Sequence, residues 1–508
     1  MTAAERLASG WPGVLAAGIA GAALPLAFAP LELAWMAVLA PAVLFAVAAA
    51  APRRRALQAA YAFGLGQFGV GVSWVFVSIH EYGGAGPVLA GGVTAAFVAF
   101  LALFPVLAVA LGRALGAGRG VRLLVALPSA WVLVEWLRTW LFTGFPWLFL
   151  GYAALDTPLA GLVPVAGVLG LSLVAALLAG AVAWLATRPS LRSGAAAAVV
   201  AAATTAMAAA AAAGQPWTER DGDPRSVALL QGNFSQDIKW DPAYMGRIQA
   251  RYARLTREHA GADIIVWPET AIPARLDRVR TYLDRVTEAA GEAGSTVVLG
   301  IPRQDPEAGT LHNSIAVLGP EPRFYDKRHL VPFGEYVPFR EWVGRRLDFL
   351  GAPMADYTPG GPPQPLPVGE GLALGGTVCY EVAYPSAVRA TAAASGMLVN
   401  VSNDAWFGDS LAPHQHLQKA RMRAAETERW MLRATNTGIT AIIGPGGEVV
   451  ARAAQFRTGS LEAEAEPRGG ATPYVRWGDA PVLGLVAGVL ALAGGLRLWR
   501  RARRPRAG

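Results

Sequence analysis

Two stretches of this chain, residues 1–215 and 480–498, carry almost no charge. No other feature constrains the fold as strongly. A helix needs roughly 20 apolar residues to cross a bilayer, and lipid tolerates only backbone whose polar groups are bonded internally. Apolar runs near 12–29, 33–50, 57–79, 87–112, 122–142, 160–186, 195–213 and 481–498 therefore predict a polytopic α-helical membrane protein with eight spans. The alanine-rich run 195–213 has the length and lack of charge of a span rather than a linker. The first run lacks a small-residue cleavage site and is followed at once by others, so it reads as retained.

Only 16% of the residues are charged, against roughly 25% in an ordinary soluble domain. The net charge of +8 comes largely from arginines at the ends of the apolar runs. It speaks of membrane topology and not of nucleic acid. Arg6, Arg53 to Arg55, Arg113, Arg119, Arg122, Arg188, Arg192 and the basic tail 497–506 all fall on alternate loops. The other loops, around Glu32, His80 and 143–158, lack Lys and Arg. The bias toward inside basic loops predicts that both termini are cytoplasmic and that residues 214–480 face outward. Glu135 and Arg138, three apart on one helix face, are placed to pair.

Residues 216–475 have the composition of a soluble domain. Apolar runs at 226–232, 263–268, 296–300, 313–318, 372–379, 397–402 and 440–443 read as strands, and 244–259 and 275–293 as amphipathic helices. Strands alternating with helices predict an α/β sheet with helical crossovers. The domain division is 1–214 (seven spans), 215–475 (outward domain) and 476–508 (last span and basic tail). Within the domain, 328–368 is rich in Pro, Gly and aromatics, and irregular stretches this long serve as lids or binding loops. Its apolar residues include Phe333, Trp342 and Phe349.

Cys379 is the only cysteine, at the turn between the strand 372–379 and a helix opening at Tyr384. With no partner for a disulfide, it serves either packing or reactivity. Three other runs carry polar groups suited to the second use: Trp267-Pro268-Glu269, the segment from Tyr325 to Glu335 containing Lys327, and Ser402 to Gly408. Lys327 stands out because only three of the 44 basic residues are lysines, and a compact ammonium is not interchangeable with a guanidinium. Glu, Lys and Cys together permit acyl transfer through a thioester. A thiol is mostly protonated at neutral pH, so a carboxylate must take its proton, and an ammonium with backbone N–H groups would stabilise the oxyanion. His414 and His416 are the one candidate pair of zinc ligands, and they lack the further Cys or His that zinc needs. No metal and no cofactor are expected.

These motifs, in the order Glu269, Lys327, Cys379, resemble the nitrilase superfamily. Across the whole chain the resemblance is closer still to the apolipoprotein N-acyltransferase family. It implies a four-layer αββα sandwich in the periplasm, carried by a protein of the bacterial inner membrane. It further implies Glu269 as general base, Lys327 as oxyanion partner and Cys379 as nucleophile, with Glu335, Tyr380 and Glu381 in support. Trp240 carries over as a substrate-gating position. Trp406 and Phe407, with Trp342 and Phe349 of the apolar segment 328–368, are taken as further substrate-binding residues. The implied reaction is ping-pong. A membrane phospholipid acylates Cys379, and the α-amine of a diacylglyceryl-cysteine at an apolipoprotein N-terminus takes the acyl chain. A monomer in the bilayer is expected, without nucleic acid. The residues alone also allow a membrane-tethered amidase or nitrilase acting on a small soluble amide, or a non-catalytic lipid-binding scaffold.

Overall fold

The computed structural model describes residues 10–319, 321–336 and 356–502. It divides into two compact units: residues 1–75, 88–215 and 477–508, and residues 76–87 with 216–476.

The first unit is helical. Pro87–Leu115, Arg119–Leu137, Pro158–Thr187, Leu191–Ala213 and Ala480–Trp499 are long and apolar enough to cross a membrane. The alanine-rich run is thus a helix, started by a Ser190/Ser193 capping box that satisfies otherwise orphaned N–H groups. The first two expected spans form shorter apolar helices, Trp11–Ala27 and Met36–Ala50.

The third expected span, 57–79, is not one straight helix. Arg53–Gly71 ends, and Trp74–Tyr82 continues it with a 51° bend. The Ser73 hydroxyl donates to Val70 O at the break (3.0 Å), and the second piece closes in a π-helical turn, Ser78–Tyr82. Hydropathy does not register such a break, because the residues on both sides are apolar. Small residues let the helices approach. A Cβ on Gly21 would lie 2.0 Å from Phe63 O, and one on Gly66 2.4 Å from Gly18 O, the close backbone approach that membrane helices use. Glu135 and Arg138 do not hydrogen-bond each other. Glu135 accepts from Trp131 Nε1 (2.9 Å) and Leu150 N (3.0 Å), while Arg138 donates to Trp147 O (3.1 Å).

The second unit is built on two six-stranded sheets. The strands are β1 (Arg225–Gln231), β2 (Ile264–Trp267), β3 (Thr296–Gln304), β4 (Leu311–Val317), β5 (Arg323–Asp326) and β6 (Leu366–Pro367). They continue with β7 (Ala373–Val378), β8 (Met397–Ser402), β9 (Met431–Thr435), β10 (Ala441–Ile443), β11 (Val449–Arg452) and β12 (Gly459–Ala465). One sheet has the order β12-β1-β2-β3-β4-β5 and the other β11-β10-β9-β8-β7-β6. The centres are parallel, β1 with β2 and β3, and β7 with β8 and β9.

Alternation along each strand sorts side chains to opposite faces. In the first sheet Val227, Leu229, Ile264 and Val266 join Val378, Val399, Val401 and Leu432 of the second in a core between the sheets. Ala228, Leu230, Ile265 and Trp267 point the other way, onto the helices Met245–Glu258 and Leu276–Glu292. On the far side, Leu398, Met431 and Ile443 pack with the helices Pro385–Ala392 and Ala412–Thr427. The four-layer αββα arrangement follows from two-residue periodicity and paired amphipathic helices. Strand β9 was not expected from the sequence. Its central Arg433 interrupts the apolar pattern, yet it is fully buried and bonded to Asp404 (2.7 Å). Of the expected loop 328–368, residues 337–355, with Trp342 and Phe349, lie outside the described residues.

Candidate active site

The chemically interesting residues all follow strand ends. Glu269 comes just after β2, Lys327 directly after β5, Cys379 directly after β7 and Asn403 directly after β8. β5 runs in the same sense as β2 and β3, because two antiparallel pairings separate it from β3. The carboxyl ends of strands in α/β sheets are the usual place for sites. Four residues without the freedom of glycine have positive φ here: Thr270 (47°), Phe333 (62°), Cys379 (52°) and Asp404 (51°). Such left-handed backbone costs of order 1–3 kcal/mol per residue and collects at functional sites.

Glu269 is buried, at 7% exposure. Its Oε1 accepts from Asn313 Nδ2 (2.7 Å) and its Oε2 from the Asn403 backbone N–H (2.9 Å). Lys327, 1% exposed, lies 3.9 Å from Glu269 Oε1 but only 2.8 Å from Glu335 Oε2. Burial disfavours the ammonium, and the carboxylates of Glu335 and Glu269 more than offset this, holding its pKa above the ordinary value. Asn313 Nδ2 also donates to Glu335 Oε1 (2.9 Å), so one amide bridges both carboxylates. Gly300 supports this wall, since a Cβ there would lie 2.5 Å from Glu269 Cα. Only glycine lets β3 pass so closely.

Cys379 opens a 3₁₀ turn, Cys379–Ala383, and is partly exposed. Desolvation of the sulfur, reinforced by the Glu269 charge, pushes the thiol well above its ordinary pKa, while Lys327 pulls the other way. At rest it is therefore a thiol. Glu381, fully buried, ties this turn to the Lys327 segment. Its carboxylate accepts from the backbone N–H groups of Val378 (2.8 Å), Arg328 (2.7 Å) and His329 (3.1 Å), and from the Tyr325 hydroxyl (3.1 Å). Tyr380 packs edge-on against Tyr384 at 5.2 Å.

A buried polar network holds the Cys379 backbone. His416 Nε2 is 3.1 Å from Cys379 O, and His416 Nδ1 is 2.9 Å from Asp404 Oδ1. Arg433 bonds both Asp404 and Asn400, whose Nδ2 donates to Cys379 O (3.4 Å). His416 thus supports the turn that begins at Cys379. Among the described residues no three His, Cys, Asp or Glu side chains are grouped to hold a metal ion.

Of the expected substrate-facing aromatics, Trp240, Trp406 and Phe407 lie among the described residues. Trp240 is 51% exposed and closes the short helix Gln236–Lys239. Trp406 is exposed, and its carbonyl accepts from Ser78 Oγ (2.8 Å) while Tyr82 meets its ring edge-on at 6.5 Å. Phe407 meets the His416 ring edge-on at 5.9 Å. Phe333 is also exposed. Asn313, Asn403 and Lys239 were not expected. Asn403 lies inside the Ser402 to Gly408 run, which singles out the segment but not the amide. Asn313 opens the run 313–318 that reads as a strand, and it lies inside β4; nothing in that run singles out its amide.

An αββα sandwich with a cysteine on a strained turn beside a buried Glu and Lys defines a class, the carbon–nitrogen hydrolases. Residues 226–474 match that family, and residues 20–181 match the apolipoprotein N-acyltransferase N-terminal domain. The apolipoprotein N-acyltransferase of Methylococcus capsulatus is 46% identical over 93% of this chain and 94% of its own length. That of Pseudomonas aeruginosa is 41% identical, covering 95% of each. The chain belongs to the apolipoprotein N-acyltransferase family. Among solved structures, a CN-hydrolase superfamily protein from Xanthomonas campestris is similar over 54% of this chain and 97% of its own, with 15% identity and a TM-score of 0.37. An amidase from Nesterenkonia sp. is 20% identical over 52% and 96%, with a TM-score of 0.34.

Proposed function

We propose that this acyltransferase moves an acyl chain from a membrane phospholipid to the α-amine of the S-diacylglyceryl-cysteine that begins an apolipoprotein. The observation that carries this reading is the cluster of Glu269, Lys327 and Glu335 acting on the neutral thiol of Cys379. In the first half-reaction Glu269 takes the thiol proton as the sulfur attacks the ester carbonyl carbon. The Lys327 ammonium and N–H groups of the Cys379 turn stabilise the oxyanion. Collapse breaks the ester C–O bond, the lysophospholipid oxygen takes the proton from Glu269, and a thioester remains on Cys379. In the second half the amine attacks that thioester. Glu269 accepts the amine proton and returns it to the departing sulfur.

Water would compete at the thioester stage. Burial of Glu269 and Lys327 and a thiol kept neutral until a base acts both suit a site that reacts with lipid and resists hydrolysis. Membrane lipids on both sides of the reaction supply a reason for long apolar helices in the same chain. We place the chain in the bacterial inner membrane with eight crossings, both termini cytoplasmic and residues 215–475 in the periplasm. The alternating basic loops support that reading. Trp240, Trp406 and Phe407, with Trp342 and Phe349 of the segment 328–368, are assigned to the lipid path. The exposed rings of Trp240, Trp406 and Phe333 support an apolar approach to the thiol. The chain is taken to act as a monomer, without cofactor or metal.

The test uses vesicles containing the full chain, phospholipid with a labelled acyl chain, and a synthetic diacylglyceryl-cysteine peptide. Label should reach the peptide amine, and its transfer should require the peptide. Steady release of labelled free fatty acid with no label on the peptide would instead describe a hydrolase.

A further inference from the structure

The site holds more buried charge than the three reacting residues account for. Glu269 and Glu335 bring two carboxylates, and Lys327 answers them with one ammonium. Buried charges are stable only when paired and hydrogen-bonded, so one negative charge remains to be balanced. The second cation is Lys239, a residue outside every motif discussed above.

Lys239 is 2% exposed and ends the short helix Gln236–Lys239, beside Trp240. Its Nζ donates to the backbone carbonyl of Glu269 (3.3 Å) and to Asn403 Oδ1 (3.2 Å). The same Asn403 gives its backbone N–H to Glu269 Oε2 (2.9 Å) and its Nδ2 to Gln236 Oε1 (2.8 Å). Asn436 Nδ2 donates to Asn403 Oδ1 at 2.9 Å. One ammonium thus grips both the main chain of the base and the residue that holds the carboxylate of the base. An ammonium has three donors, and two have acceptors among the described residues. Glu269 and Cys379 both act on it electrostatically.

We propose that Lys239 is a positioning residue of the acylation step, an ammonium that fixes Glu269 and balances the second carboxylate while the sulfur becomes negative. Without it, Glu269 turns less accurately toward the thiol and the site carries an uncompensated negative charge that opposes thiolate formation. The proposal rests on Cys379 and Glu269 acting as nucleophile and base. Burial lowers the Lys239 pKa to about 8, with Glu269 and Cys379 opposing the shift. The charged groups that act on it are Glu269 and Cys379, and Asp237 is the acidic residue on its own short helix. Lys327 and the thiol are both held above their ordinary values, so neither loses its proton as early as Lys239.

The experiment measures two rates on the full chain in phospholipid vesicles between pH 6 and 10. One is thioester formation on Cys379 from phospholipid, and the other is alkylation of Cys379 by iodoacetamide, which needs no acyl donor. Wild-type acylation should fall as pH rises through about 8, as the ammonium is lost. Lys239→Met should slow both reactions at pH 7 by roughly tenfold or more, a part of the roughly 10²–10⁴-fold that a general base contributes, and should abolish the fall near pH 8. Lys239→Arg, charged at all these pH values, should move the fall upward. The thermal midpoint of Lys239→Met should fall, because Glu269 and Glu335 then share a single buried cation, so the shape of the pH profile and not the loss of rate alone decides the role. Wild-type rates with the same alkaline fall in Lys239→Met would overturn the proposal. So would an equal loss at every pH that leaves the shape of the profile unchanged. If no variant forms a lipid thioester, the acyl-transfer reading fails, and the alkylation rates still decide the role of Lys239.

Discussion

Glu335→Gln tests how the ammonium is shared between two carboxylates. In the structure Lys327 Nζ sits 2.8 Å from Glu335 Oε2 and 3.9 Å from Glu269 Oε1. Glutamine keeps an oxygen for the Val331 N–H that Glu335 Oε2 now accepts (2.8 Å), while its amide nitrogen replaces Oε1, which accepts from Asn313 Nδ2 and Lys327 Nζ (2.9 Å each), so those two donors turn to Glu269. What disappears is the charge that draws Lys327 away from the base. If the ammonium then closes on Glu269, the separation falls from 3.9 Å to the 2.8 Å it now has with Glu335. At an effective dielectric near 20 that tightening is worth about 1.7 kcal/mol, which weakens the base by roughly 20-fold. An ammonium displaced from the oxyanion adds a loss on the order of 10²-fold. Thioester formation on Cys379, followed by rapid-quench mass spectrometry, should therefore slow by a factor between about 20 and a few thousand. The thermal midpoint should change little. An acylation rate within a factor of about three of wild type would refute the idea that Glu335 keeps Lys327 off the base, since it leaves the 20-fold term unaccounted for.

Three further expectations follow from other contacts. Gly300→Ala places a Cβ 2.5 Å from Glu269 Cα, so it should shift the base and slow both acylation and alkylation of Cys379, while Gly246→Ala, on an open helix face, should not. Burial alone would raise the Asp404 pKa, but Arg433 and His416 hold it below the ordinary carboxylate value. A lowered folded pKa gives stability that is complete above about pH 4, the unfolded value, and is lost as pH falls below it. Asp404→Asn should remove roughly 3–5 kcal/mol by leaving Arg433 buried without its charge partner, and should flatten the acid limb of a denaturation series. A reporter active only outside the cytoplasm should work when fused near Gly222 and stay silent after Arg55, Arg192 or Arg504. One reversed signal would require a different span count.

Much of the fold was legible because periodicity is local. The alternation in 226–232 and 263–268 does sort side chains between the inter-sheet core and the helices. The strand at 431–435 was not legible, because Arg433 breaks the apolar pattern and its partner Asp404 is 29 residues away. Nor was the bend after Gly71, where an apolar run conceals a change of direction. The chemistry of the site could be read from residue types in three short runs, with the roles supplied by resemblance. Its geometry could not. That Asn313 bridges two carboxylates, or that Lys239 reaches the main chain of Glu269, depends on strands far apart in sequence meeting at one edge. Glu135 and Arg138 act on each other electrostatically, as their helix spacing allows, while their hydrogen bonds go to an indole and two backbone groups that the spacing does not indicate.

The central claim is that acyl transfer passes through a thioester on Cys379, and its lone thiol makes the measurement unambiguous. The full chain is incubated with phospholipid and no acceptor, then digested and analysed by mass spectrometry. The account predicts one hydroxylamine-sensitive acyl adduct, on the peptide containing Cys379, with one equivalent of lysophospholipid released and no adduct in Glu269→Gln on the same time scale. An acyl group found on any other residue, or transfer to a diacylglyceryl peptide by Cys379→Ala, would contradict it.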